Sequence, residues 1–136
     1  MIQIFCNKRG SGKTKKLINL ANDKLTISRG DSVYIDDDAS YIMQINRKIR
    51  FIAANDFKLG NYDGIYGLLC GVISGNYDIE NIYIDGIFDF EGNNIEESEG
   101  CLKKINDLAT TFKINIYINV NYNKDEVPNF IKRFVA

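Results

Sequence analysis

The residues with the clearest chemistry are the eight at Asn7-Lys8-Arg9-Gly10-Ser11-Gly12-Lys13-Thr14. They follow the apolar run Ile2-Gln3-Ile4-Phe5 and lead into Lys15–Ala21, which has helical spacing. The phosphate-binding pattern G-x-x-x-x-G-K-[ST] is matched at its last three positions, and Asn7 stands where its first glycine belongs. Such a loop wraps backbone N–H groups around a β-phosphate, and the helix behind it adds the positive end of its dipole. Gly10 and Gly12 leave that backbone unobstructed, Lys13 reaches the β/γ oxygens, and Thr14 offers a hydroxyl to Mg²⁺. Lys8, Arg9, Ser11 and Lys15 complete the binding stretch. Asparagine tolerates left-handed backbone angles better than most residues, so Asn7 is expected to replace the glycine on that ground. The bland alternative is a glycine-rich turn in some other strand–helix unit.

Five short runs rich in β-branched and aromatic residues must position this loop: Ile2–Cys6, Ser32–Asp36, Ile49–Ala53, Asn81–Asp85 and Lys113–Val120. They are nearly continuous in apolar residues, as strands buried on both faces are. Helical repeats lie between them. Leu17, Ile18, Ala21 and Leu25 form one, and a short helix fits around Ala39–Arg47. Tyr62–Ser74 forms another, and the stripe from Ile95 to Phe112 forms a long one. A last helix is expected from about Asp125 to Phe134, with Pro128 in its first turn. Alternation of this kind predicts an α/β three-layer sandwich with a five-stranded, mainly parallel sheet, in one domain over 1–136. Ligands in such folds bind beyond the carboxyl ends of the strands.

Within Tyr62–Ser74, Gly64, Gly67 and Gly71 line one face. Glycine costs about 1 kcal/mol in a helix interior. The stripe therefore predicts a close approach, either packing inside the domain or a helix of a second copy.

The 136 residues carry a net charge of −1, with 45% hydrophobic and 26% charged residues, as soluble globular chains do. No general nucleic-acid or membrane-surface signal is present. Histidine is absent, which removes Ser-His-Asp and Cys-His catalysis and His-ligated metals. Cys6, Cys70 and Cys101 are isolated and form neither a disulfide framework nor a zinc motif. The apolar stretch 65–74 is too short to span a bilayer, and Met1 runs straight into a strand pattern without a signal peptide. A reducing, cytoplasmic setting is the expectation.

With loop and alternation together, the chain resembles the P-loop NTPase superfamily. More narrowly it is similar to short bacterial ATP-binding proteins labelled twitching-motility (PilT-like). The loop residues carry over from that resemblance. Motor activity does not, since the histidine-containing boxes and second domain of the true motors are missing. The resemblance implies a Walker B aspartate that holds the metal's water shell. Asp85 in IENIYIDG is the preferred candidate and Asp36 in SVYIDDD the alternative. The additional-strand, catalytic-glutamate class places a glutamate directly after that aspartate, but Gly86 stands there. A general base must then come from elsewhere, for instance Asp89, Glu91 or Asp37. Asn119, near the end of the fifth run, resembles the sensor position that reads a γ-phosphate. It suits a capped strand end equally well.

These residues imply ATP and Mg²⁺ as cofactors. GTP is less favoured, because NYNKDE at 121–126 lacks the spacing of a guanine-reading motif. Three functions stay open. The first is an ATP-binding protein whose hydrolase activity is slow or stimulated by a partner. The second is a nucleotide-dependent assembly or regulatory module without turnover, with a second copy or another protein as its partner. The third is a small-molecule kinase.

Overall fold

The computed structural model describes residues 1–90 and 94–136. Each of the five apolar runs forms a strand: β1 (Ile2–Asn7), β2 (Asp31–Asp36), β3 (Arg50–Ala53), β4 (Ile79–Asp89) and β5 (Asn115–Asn121). They pair in the order β1-β5-β4-β2-β3, and every pairing is parallel. The crossovers carry the helices α1 (Lys13–Leu25), α2 (Tyr62–Gly75) and α3 (Glu99–Phe112), followed by the single turn α4 (Asn129–Lys132). At the outer edge of β1 the tail adds a further bridge: Ile4 N–H donates to Phe134 O at 2.7 Å and Ala136 N–H to Ile4 O at 3.0 Å.

The sheet's two faces have different compositions. One carries Ile4, Ile35, Ile84, Ile118 and Val120 against α2 and α3, where Leu69, Leu102 and Ile105 are buried. The other carries Tyr34, Tyr83 and Tyr117 against Leu17, Ile18 and Ala21 of α1. Strand alternation sorts the two sets, because neighbouring residues point to opposite faces.

Three expected helices are shorter than their spacing implied. Ala39–Arg47 holds only a 3₁₀ turn at Ile42–Gln44. Asp38 accepts from Ser40 N–H and Asn46 accepts from Lys48 N–H, both at 2.9 Å, so short polar side chains take the backbone donors that a helix would use. Asn123 does the same to Asp125 N–H, and Pro128 is extended, so the last helix shrinks to Asn129–Lys132. The Ile95–Phe112 stripe is a 3₁₀ turn, Ile95–Ser98, continued by α3.

The glycine stripe of α2 is only partly explained by packing. A Cβ on Gly64 would fall within 2.1 Å of the Leu59 carbonyl oxygen, so that position demands glycine. Cβ atoms on Gly67 and Gly71 would meet nothing within 4 Å, and both residues are exposed. Close packing inside the fold therefore holds for one glycine of the three.

Candidate functional site

The loop after β1 has its two positive φ angles at Gly10 and Gly12, both 82°. A β-carbon at either would touch nothing, so the backbone angle is what calls for glycine there. Asn7 differs from the sequence expectation. It is the last residue of β1, lies outside the left-handed region, and its carbonyl accepts from Tyr122 N–H at 3.0 Å. An asparagine fits because the strand simply continues through it. Gly12 caps α1, and Lys16 N–H makes the first helical bond, to Gly12 O at 3.2 Å. The N–H groups of Lys13, Thr14 and Lys15 precede that bond and are orphans of the helix start. Lys8, Arg9, Ser11 and Lys15 are exposed around them.

Strand register brings the distant polar residues to this loop. On the α1 face, Tyr117, Tyr83 and Tyr34 are aligned across β5, β4 and β2, with ring centroids 5.2 and 6.1 Å apart. Two residues further along each strand, on the same face, stand Asn119, Asp85 and Asp36. An aromatic row thus supports a polar row at the carboxyl end of the sheet. Asn119 Nδ2 donates to Lys13 O at 3.1 Å and ties β5 to the start of α1. That contact gives Asn119 an anchoring role beside the sensor-like one.

A cavity of about 430 Å³ opens above this row. Lys13, Thr14, Asp36, Asp85 and Asn119 all line it. The two aspartates considered as alternatives therefore belong to one site. β2 and β4 are neighbours, and Asp36 and Asp85 lie one residue beyond the paired Ile35 and Ile84. Asp85 does not end its strand. It sits at an irregularity between Ile84 and Phe88, after which β4 pairs with β5 again. Gly86, with φ 72°, makes that step possible. A Cβ there would fall 2.6 Å from Asp36 Oδ1, so the carboxylate of β2 fills the space that a side chain at position 86 would need.

Asp36 and Asp85 are 6% and 4% exposed. One oxygen of each accepts from the next backbone N–H, Asp37 at 2.7 Å and Gly86 at 2.8 Å. The other oxygen of each, and Asn119 Oδ1, is buried and meets no well-aligned hydrogen-bond partner, although the Tyr34 hydroxyl lies close enough to Asp85 to interact with it. Burial, and then the charge of Asp85, raises the Asp36 carboxyl from 3.8 to about 7. Burial also holds the Tyr34 hydroxyl well above its usual range, and the charges of Asp85 and Asp36 add to this.

Of the acids considered as a base, Asp89 is engaged by Arg9 and accepts from Asn121 Nδ2 at 3.0 Å. This lock between loop, β4 and β5 has no spacing that announces it in sequence. Asp37 is exposed on the cavity rim, and Glu91 lies outside the described residues. Tyr41 and Ser40, unremarked in the sequence, line the same cavity from the β2–β3 connection. Among the described residues no three acids or thiols converge as a protein-only metal cage. Mg²⁺ at a phosphate takes one or two carboxylates, and Thr14 with this pair suits that demand.

No family model matches the chain, and no curated protein matches it.

Proposed function

We propose that the chain is a P-loop NTPase-like protein that binds ATP with Mg²⁺ and hydrolyses it slowly or when a partner stimulates it. The observation that carries this reading is one cavity shared by Lys13 and Thr14, at a helix N-terminus, with Asp85, Asp36 and Asn119. In this reading the orphan N–H groups of Lys13, Thr14 and Lys15 cradle the β-phosphate, as helix starts do for anions. The Lys13 ammonium spans the β/γ oxygens and the Thr14 hydroxyl faces the metal. Asp85 orients metal-bound water. Asn119 keeps Lys13 in place through its backbone carbonyl. The sheet order supports the additional-strand class, since β5 separates the loop strand from the strand of Asp85. A slot of about 340 Å³ touches Lys13 and Asn119 and is walled by Phe5, Leu17 and Leu20, which offers an apolar seat for the base. Slow turnover follows from Gly86, which supplies no carboxylate for attacking water.

A small-molecule kinase is the second reading, and one observation favours it. A cavity of about 470 Å³ adjoins the phosphate site through Asp37, Gly86 and Asp89 and has room for an acceptor. Calorimetric titration with ATP and GTP, with and without Mg²⁺, tests the main reading against Lys13→Ala. The expected outcome is Mg²⁺-dependent ATP binding, weakened by about 1.5–3 kcal/mol in the variant, as for a hydrogen bond to a charged group. Phosphate release in the same samples should be slow. The reading fails if wild type binds neither nucleotide, or if the variant binds as wild type does.

A further inference from the structure

Tyr41 comes from neither the loop nor a strand, but from the connection between β2 and β3. The second half of that connection is tied to α1. Asn22 donates through Nδ2 to Gln44 O and accepts from Asn46 N–H, both at 2.9 Å, and Ile45 and Ile49 are buried beside Leu17 and Ile18. Ahead of this clamp, residues 37–44 are all exposed. The 3₁₀ turn Ile42–Gln44 is closed by Gln44 N–H donating to Tyr41 O at 2.9 Å. A tethered turn therefore presents Tyr41, and burial does not.

Two cavities meet at this side chain. One is the cavity of about 430 Å³ above the polar row. The other, of about 500 Å³, lies over Gly10, Gly12, Lys15 and Ile18. Among the described residues both are lined by Arg9, Lys13 and Thr14 of the loop and, from elsewhere in the chain, by Tyr41 alone. The buried Tyr34 hydroxyl senses the Tyr41 phenol as well as Asp85 and Asp36, which places that phenol on the side of the polar row. Among the described residues no hydrogen bond engages the Tyr41 hydroxyl, so it is open to a ligand.

Sheet order says which part of a nucleotide would reach it. The apolar slot walled by Phe5, Leu17 and Leu20 lies at the β1–β5 side, and Tyr41 belongs to the β2–β3 side, across β4. A nucleotide with its base in that slot and its β-phosphate on the loop extends toward β4 and β2. Its terminal phosphate is then the group nearest Tyr41. A phenol O–H donates to a phosphate oxygen without adding charge, and bonds to an ionised acceptor are the strong ones.

We infer that Tyr41 is a specificity residue that reads the terminal phosphate: its hydroxyl donates to a γ-phosphate oxygen, and the chain holds the triphosphate more tightly than the diphosphate. This rests on the nucleotide reading above and adds to it the contact that separates substrate from product.

The test is calorimetric titration of the full chain with ATP and with ADP, each in Mg²⁺. Wild type should bind ATP more tightly than ADP. Tyr41→Phe keeps the ring and should weaken ATP by about tenfold while changing ADP by no more than about twofold, since only the bond to a charged oxygen is lost. Tyr77→Phe, at an exposed tyrosine before the amino end of β4, should change neither. The inference is overturned if Tyr41→Phe keeps the wild-type ratio of ATP to ADP affinity. It is equally overturned if Tyr41→Phe weakens both nucleotides alike, as a merely structural role would. Either result, with wild type binding ATP, leaves the nucleotide reading standing. Binding of neither nucleotide by wild type overturns both.

Discussion

The two faces of one sheet meet their helices in different ways. Facing α2 and α3, the strands present apolar residues throughout, isoleucine and valine with Cys6 and Phe88. Facing α1, the same strands present tyrosines and then, toward their carboxyl ends, Asn119, Asp85 and Asp36. Every buried side-chain polar atom without a partner among the described residues lies on the α1 face: Ser32, Tyr34, Asp36, Tyr83, Asp85 and Asn119. A buried polar group left unpaired costs about 1–3 kcal/mol. One face is therefore arranged for stability, and the other gives up stability where chemistry is expected. Of the tyrosines beneath the acid row, Tyr34 is the one whose hydroxyl senses Asp85 and Asp36.

The largest break in this contrast should come from the apolar face. Ile118→Ala leaves a cavity on the α2/α3 face and should cost about 2–5 kcal/mol in denaturant unfolding, while the residues lining the cavity beside Lys13 stay in place. Next comes the acid pair. The Asp36 carboxyl is raised in the folded state, from 3.8 to about 7, so the native chain holds a proton there that the unfolded chain releases. The contribution of this one group to stability should be full below about pH 4 and decline as pH rises to about 7. The decline should be on the order of 2 kcal/mol once water in the cavity is allowed for. Asp36→Asn should flatten that profile in metal-free buffer, whereas an equal slope in the variant would place its source elsewhere. Tyr83→Phe removes a buried hydroxyl with no partner and should stabilise by about 1 kcal/mol; a loss would show that the hydroxyl is satisfied. The smallest effect is at the open glycines of α2. Gly67→Ala and Gly71→Ala should each raise stability by about 0.5–1 kcal/mol. No gain, with loss of self-association in sedimentation, would mean that a second copy covers that stripe.

Much of this arrangement is legible in the sequence. The five runs of Ile, Val, Tyr and Phe become strands because their apolar character is continuous, and α1 is announced by Leu17, Ile18 and Ala21. What periodicity cannot carry is strand order. Asp36 and Asp85 read as rivals because nothing in their spacing says that β2 and β4 are neighbours. The contact of Asn119 with Lys13 and the lock of Arg9, Asp89 and Asn121 also depend on order and register. Asn7 misled for a local reason, since a glycine-shaped position in the motif turned out to be an ordinary strand residue. The over-long helices at 39–47 and 125–134 share a cause: short polar side chains captured the backbone before a helix formed.

The central claim is that the α1 end of the sheet, and not the glycine face of α2, meets a nucleotide. Backbone amide shifts in ¹⁵N-labelled protein, recorded as ATP and Mg²⁺ are added, test it most directly. The amides of Gly10, Gly12, Lys13 and Thr14, with those of Asp37 and Gly86, should move together and saturate. Gly67 and Gly71 should stay still, and Lys13→Ala should weaken the response. Shifts confined to α2, or none at saturating nucleotide, would contradict the account.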